Sequence, residues 1–343
     1  LSESFHKAFG KDYGLTLGVS YVGKHEKDVE KLTPDFTHRY NFPRNTAAFD
    51  ARIRLKLHDF SVLLEGATKN NDPSIDNNYT YRRGTAALAS VTYSASGFSA
   101  LVQAKRSDNM HWRTERSIEG IYGFVNYLPP FTMTQTYALA AMYPYATQVD
   151  GEWAYQFETR WLARRGTPLG GKYGTNFRLS GSLIMALDRN WPDDVPHIKE
   201  SYIPGSDGYG TPFWKAGSLN YADINVEINK KLSRSFSLTL FYMFQKFNQK
   251  VVWGHAENGD MVNSHIAVVE GQWKIKRNTQ LRFEAQYLHT KQDMGDWLAA
   301  TIDLSLAPHW MFTITDMQNF TGDNIVDPEY KKNKNYYSFG VTY

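Results

Sequence analysis

Residues 221–247, YADINVEINKKLSRSFSLTLFYMFQKF, alternate between polar and apolar twice around a short basic connector. In the first run Ala222, Ile224, Val226 and Ile228 share one face, and Asp223, Asn225, Glu227 and Asn229 share the other. In the second, Phe236, Leu238, Leu240, Tyr242 and Phe244 lie opposite Ser237, Thr239 and Gln245. A period of two is the signature of a strand, because successive side chains point to opposite sides of a pleated chain. Each run is about ten residues, enough to cross a bilayer when the strand is tilted. The stretch therefore predicts a membrane-spanning hairpin, and its recurrence along the chain predicts a closed barrel.

The same alternation marks residues 13–22, 47–57, 60–66, 85–93 and 98–104. Weaker runs lie near 118–128 and 135–142, joined by a turn at Pro129-Pro130, since proline cannot serve a central ladder position. Clear runs resume at 153–161, 177–187, 267–275, 281–287, 298–306, 310–314 and 337–343. With the opening pair these make about sixteen strands. Asn258-Gly259 has the composition of a two-residue hairpin turn, which would extend the flanking strands beyond the membrane. Connections alternate between short turns and long polar loops, the pattern of an up-and-down barrel with one short rim and one long rim. The stretch ARRGTPLGGKYG, residues 163–174, is too long for this rule as counted. A propeller would need a recurrent motif every 40 to 50 residues or so, and none is visible. Soluble sandwiches usually have strands of about five or six residues, shorter than these. The expected fold is all-β, a transmembrane up-and-down antiparallel barrel over residues 1–343.

Composition agrees. Mean hydropathy is −0.51, and no apolar run reaches the roughly eighteen residues of a membrane helix. A barrel hides half of each strand from such a measure. The 22 Tyr, 20 Phe and 9 Trp are numerous enough to supply aromatic girdles at two membrane interfaces. The chain has no cysteine, which excludes disulfides and thiolate chemistry. Its net charge of +3 comes with no basic block, so nucleic acid is not an expected partner. No basic-then-apolar leader opens the sequence, so an export signal would lie outside it.

The polar faces place Asp50, Arg52, Arg54, Lys56, Glu65, Glu158, Arg160, Asp223, Glu227, Glu270, Lys274, Arg282 and Glu284 toward the lumen. Rings of charge tune pore selectivity. Mixed signs on neighbouring strands also pair across the sheet and fill the interior. In the long loops Trp191, Tyr202, Tyr209, Trp214 and Trp253 are candidates for contacts at the external rim, or for packing inward as a plug. Asp72 and Asp76 sit in NNDPSIDNN, which could offer oxygens to calcium but lacks EF-hand spacing and reads more simply as a turn cluster. Ser264 and His265 point to opposite faces, His289 falls on the apolar face, and no GxSxG, HExxH or P-loop string occurs. No catalytic residue, cofactor site or metal site is expected.

Several strings are more distinctive: SYVGKHE from Ser20, LVQAKRSDNM from Leu101, LPPFTMTQTYALAAMYPYATQVDGEWAYQ from Leu128, LGGKYGTN from Leu169 and HTKQDMGDW from His289. Together they resemble a family of Bacteroidota outer-membrane barrels described only as a domain of unknown function. The resemblance implies an outer-membrane location in a Gram-negative bacterium, contact with its lipid, and no assigned activity. It also implies further strands before and after this stretch, making the chain an internal portion. The expected role is a channel or transporter for small solutes or oligomers. The alternatives are a non-conducting subunit holding protein partners in an envelope complex and, more weakly, a lipid- or glycan-modifying barrel.

Overall fold

The computed structural model describes residues 2–8 by their backbone, and 12–33, 36–117, 123–148, 150–190, 208–254, 261–320 and 334–343. Among these residues the chain forms fifteen strands in one sheet. They are β1 (Ser2–Ala8), β2 (Tyr13–His25), β3 (Asn45–Leu57), β4 (Phe60–Lys69), β5 (Gly84–Ala95), β6 (Phe98–Asp108), β7 (Gly151–Ala163) and β8 (Thr175–Leu187). The series continues with β9 (Ala216–Lys231), β10 (Phe236–Phe247), β11 (Val262–Lys276), β12 (Thr279–Thr290), β13 (Trp297–Leu306), β14 (Trp310–Asn319) and β15 (Asn335–Thr342). Every strand pairs antiparallel with its sequence neighbours, so the topology is strictly up-and-down. No pairing joins β15 to β1 among the described residues.

The opening hairpin is β9–β10, registered Leu240 with Ile228 and Thr239 with Asn229. Its two faces differ as the alternation requires. Leu240 and Tyr242 are exposed on the outer face, whereas Thr239, Phe241, Met243 and Phe247 are buried on the inner one. The same division runs round the wall, with Leu17, Ile53, Leu64, Val102, Val269, Ile302 and Ile314 exposed outside. Aromatic rings gather near both ends of that apolar band. At the short-turn rim Phe60 meets Tyr93 at 4.7 Å, Trp161 meets Phe177 at 5.2 Å and Trp310 meets Tyr343 at 4.8 Å. At the other rim Tyr21 meets Phe49 at 5.0 Å. Phe283 lies over Gly271, where a Cβ would sit 2.1 Å from the ring; a side chain there would displace the ring from the wall.

Among the described residues two of the expected strands are not formed, and one appears that the alternation did not predict. Residues 123–128 and 135–142 are not strands; they belong to the long β6–β7 connection, which turns inward. Residues 118–122 lie outside the described set. Pro129-Pro130 is accordingly not a rim turn: the Pro129 carbonyl accepts a hydrogen bond from Lys105 Nζ inside the wall, at 2.7 Å. Losing a pair of strands leaves the order of rims unchanged, so the β7–β8 connection stays on the short-turn side, where residues 164–174 make it longer than its neighbours. The unpredicted strand is β1, which pairs with β2 from Ser2–Ser20 to Ala8–Gly14. Its sequence, SESFHKA, has little apolar alternation and needs β2 as a template. After β10 the chain turns into a short helix, α1 (Gln249–Val252), in place of an extended strand. The Asn258-Gly259 turn lies outside the described residues.

Candidate functional site

The site is built where the β6–β7 connection enters the barrel. Its sequence LPPFTMTQTYALAAMYPY combines prolines, which oppose both ladder and helix, with aromatic and aliphatic residues that need cover. One tight turn forms at 137–142, with Ala141 N–H donating to the Tyr137 carbonyl at 3.0 Å. Phe131, Tyr137, Leu139, Ala140, Tyr143 and Tyr145 are all buried.

The wall offers a matching seat. On β10 Phe241, Met243 and Phe247 occupy the inward face, joined by Val262, Ile266 and Val268 of β11, Leu288 of β12, and Trp297 and Ala299 of β13. Tyr137 packs on Phe241 at 5.4 Å, Tyr143 on Phe247 at 5.6 Å and Tyr145 on Tyr221 at 5.4 Å. Laid flat, strands β6 to β13 would span about 34 Å. One inward segment reaches Lys105 on β6, Tyr221 on β9 and Gln286 on β12, because the sheet is curled around it.

An irregular backbone in an apolar interior must still satisfy its polar groups. Wall side chains supply the partners. Gln286 Oε1 accepts the Leu139 N–H at 2.9 Å, and Gln245 Nε2 donates to the Tyr143 carbonyl at 2.9 Å. The phenols face carboxylates: Tyr143 donates to Asp293 at 2.9 Å, Tyr145 to Glu152, and Tyr137 to Glu270 at 3.4 Å. Burial and then the nearby carboxylates push the Tyr143 and Tyr145 phenols far above their ordinary range, so they remain neutral donors. Lys105 and Glu152 pair at 2.9 Å, both almost fully buried.

The sequence-predicted charges lie on the same inward face, largely toward the short-turn end. Arg282 joins Asp303 at 2.7 Å, Glu270 at 3.1 Å and Glu284. Arg178 meets Glu227 at 2.5 Å, Arg52 meets Asp50 at 3.1 Å and Arg160 meets Glu158 at 2.6 Å. Arg52 stands directly across from Glu65 in the β3–β4 register. Buried Asp223 accepts from Asn225 Nδ2 at 2.8 Å. Arg54, Lys56 and Lys274 are exposed. Arg178 and Arg282 thus pair across strands, whereas Arg52 and Arg160 pair with a carboxylate two residues away on their own strand.

Ion pairs and hydrogen bonds tie the loops at the long rim to one another. Arg116 donates to Glu26 at 2.7 Å and stacks over Phe42 at 4.5 Å. Asp72 meets Lys24 at 2.9 Å, and Asp76 meets Arg113 at 2.5 Å and His111 at 3.2 Å. Burial opposes the charge of Asp76, but hydrogen bonds from His111 and Arg113 outweigh it and hold its pKa at about 2. Both aspartates are thus matched by protein cations. Among the described residues no group of His, Asp and Glu has the arrangement of a metal site. Ser264 bonds Gln245 on the inner face at 3.3 Å, while His265 meets Tyr242 on the outer face at 2.7 Å and His289 meets Asp296 at 2.8 Å.

Of the rim aromatics, Tyr209 is buried, donating to Asp108 at 3.0 Å beneath Arg82. Trp214 is exposed, and Trp253 leans on Tyr143 and Phe247 at 5.8 and 4.9 Å. Trp191 and Tyr202 lie outside the described residues. Phe241, Met243 and Phe247 are not among the residues that alternation alone singles out. They were visible as apolar residues on a face that should have been polar.

The sequence profile of a family of unknown function, DUF6029, matches residues 1–343. The chain belongs to that family. No curated protein matches it. Among solved structures it is similar to a ferric enterobactin receptor (PfeA) mutant from Pseudomonas aeruginosa, at 12% identity over 96% of this chain and 49% of that one, TM-score 0.46. It is also similar to a mutant porin from Rhodopseudomonas blastica, at 7% identity over 96% of this chain and 90% of that one, TM-score 0.31. The chain spans about half the length of the receptor it matches.

Proposed function

We propose that this DUF6029 chain forms the wall of an outer-membrane β-barrel whose bore is closed by its own β6–β7 segment, making a sealed platform. The membrane reading is supported by the continuous exposed apolar band, since soluble proteins rarely expose patches of more than a few hundred Å². Strands β2 to β14, of ten to sixteen residues, suit a tilted crossing. The aromatic pairs at both rims suit two interfaces.

The seal is carried by one observation: the inward segment packs as a core, with Leu139 at 0% and Tyr143 at 1% exposure. An aqueous pore has no use for Phe241, Met243, Ile266 and Leu288 on its inner wall. A non-conducting subunit that presents its loops to partners fits this geometry best. The partly hydrated charges around Arg282 and Arg52 favour a second reading, a passage opened by displacing the segment.

Conductance of the intact protein in planar bilayers tests both. The platform reading expects a silent wild type and a conducting variant when residues 127–148 are replaced by a short Gly-Ser linker. Steady solute flux through the wild type would overturn the seal.

A further inference from the structure

The outer face of β2–β7 carries a second feature, independent of the interior. Ala51, Gly66, Ala87, Ala89 and Ala104 point outward from adjacent strands and leave a groove of about 800 Å³ in the apolar band. A Cβ at Gly66 would meet nothing within 4 Å, so the floor is open. This volume lies within the range of small-molecule sites. At the long-rim end the segment 208–215 folds over the edge. Phe213 packs on Trp153 edge-to-face at 5.7 Å, and Trp214 stacks on it at 6.5 Å. The segment is anchored through Thr211, which donates to Asp108 at 2.9 Å and accepts from Arg106 at 2.9 Å.

The donors at this head that lack hydrogen-bond partners among the described residues include the Trp153 indole N–H and Arg106 Nε. Trp153 is 8% and Arg106 4% exposed. The two residues stand opposite each other in the β6–β7 register, and the Arg106 guanidinium lies 5.0 Å from the Phe213 ring. Unsatisfied buried donors are uncommon and call for an acceptor. The surrounding charges are Arg82, Arg106 and Arg189 against Asp108 and Asp150. The head is therefore cationic and donor-rich, and the groove below it is apolar.

We infer that this groove binds one acyl chain of an anionic membrane lipid, with a head-group oxygen accepting from Arg106 and Trp153. The occupant follows from complementarity: a cation and an indole N–H at the rim, and a tail-shaped trough of small residues running into the band. The inference rests on the membrane reading above, and one experiment separates their failures.

The intact protein is reconstituted in nanodiscs of equal phosphatidylglycerol and phosphatidylcholine, extracted into mild detergent, and weighed by native mass spectrometry. Wild type is expected to retain one phosphatidylglycerol at least tenfold over phosphatidylcholine. Gly66→Leu, whose Cβ meets nothing within 4 Å and whose side chain occupies the floor, is expected to lose the bound lipid while still reconstituting. Arg106→Gln is expected to abolish the preference between head groups. A reconstituted wild type that retains neither lipid, or both equally, overturns the lipid site alone, as does retention by Gly66→Leu. A protein that does not enter the nanodiscs overturns the membrane reading and the site together.

Discussion

Gln286 on β12 accepts the backbone N–H of Leu139, 147 residues away in sequence, at 2.9 Å. A glutamine on the inner wall thus completes the hydrogen bonding of an irregular segment that crosses the bore. Gln286→Leu would leave the Leu139 N–H buried without a partner, at a cost of about 1–3 kcal/mol. Hydrogen exchange should speed up at residues 137–143 in this variant while the central amides of β10 and β11 stay protected. Unchanged exchange at Leu139 would show that the segment is held without this bond.

The two faces of β10 make opposite predictions in a bilayer. Leu240 is exposed on the outer face and Thr239 is buried on the inner one, beside Asn229. Arg at Leu240 should cost about 2–4 kcal/mol near the midplane, measured by denaturant unfolding in liposomes. Leu240→Ala in the same assay should be several-fold milder. A fully tolerated Arg would mean the register is displaced by one residue, which exchanges the faces.

Arg282 is the common partner of Glu270, Glu284 and Asp303. Arg282→Met should destabilise by roughly 2–4 kcal/mol, somewhat less than losing a fully buried partner because the guanidinium keeps some contact with water. Adding Glu270→Gln should recover part of that loss, because fewer carboxylates are then left to repel one another. Strict additivity of the two changes would contradict a shared network.

Asp76 gives the rim a defined acid response. Its folded pKa of about 2 lies below the ordinary aspartate value of 3.8, so its stabilising contribution is complete above pH 3.8 and lost as pH falls through 2. Limited proteolysis by pepsin between pH 4 and pH 2 should show increasing cleavage in residues 70–83 and 109–117. Asp76→Asn should be cleaved at a rate that changes little over that interval. Equal pH dependence in both proteins would assign the response elsewhere.

The wall was legible because its physics is local and periodic. Leu238, Leu240 and Tyr242 declare an outward face within a few residues of sequence, and a turn such as His58-Asp59 declares where the strand reverses. Residues 135–142 misled because QTYALAAM has enough apolar character to pass for a strand. No local rule says that Tyr143 will find Phe247 or that Tyr137 will find Phe241. β1 was missed for the converse reason, since SESFHKA becomes a strand only beside β2. The charged candidates were assigned a face by alternation, but their partners depend on which residues the register sets side by side, as with Arg282 and Asp303.

By itself, the sequence determined an antiparallel all-β wall with one apolar face and two unlike rims, because a two-residue period and turn chemistry are properties of neighbouring residues. Only the tertiary structure decided that the β6–β7 stretch lies inside that wall and that Phe213 and Trp214 fold over its outer edge. Those placements depend on surfaces that exist only once distant strands have curled together, so the cover each apolar side chain needs cannot be found in its own neighbourhood.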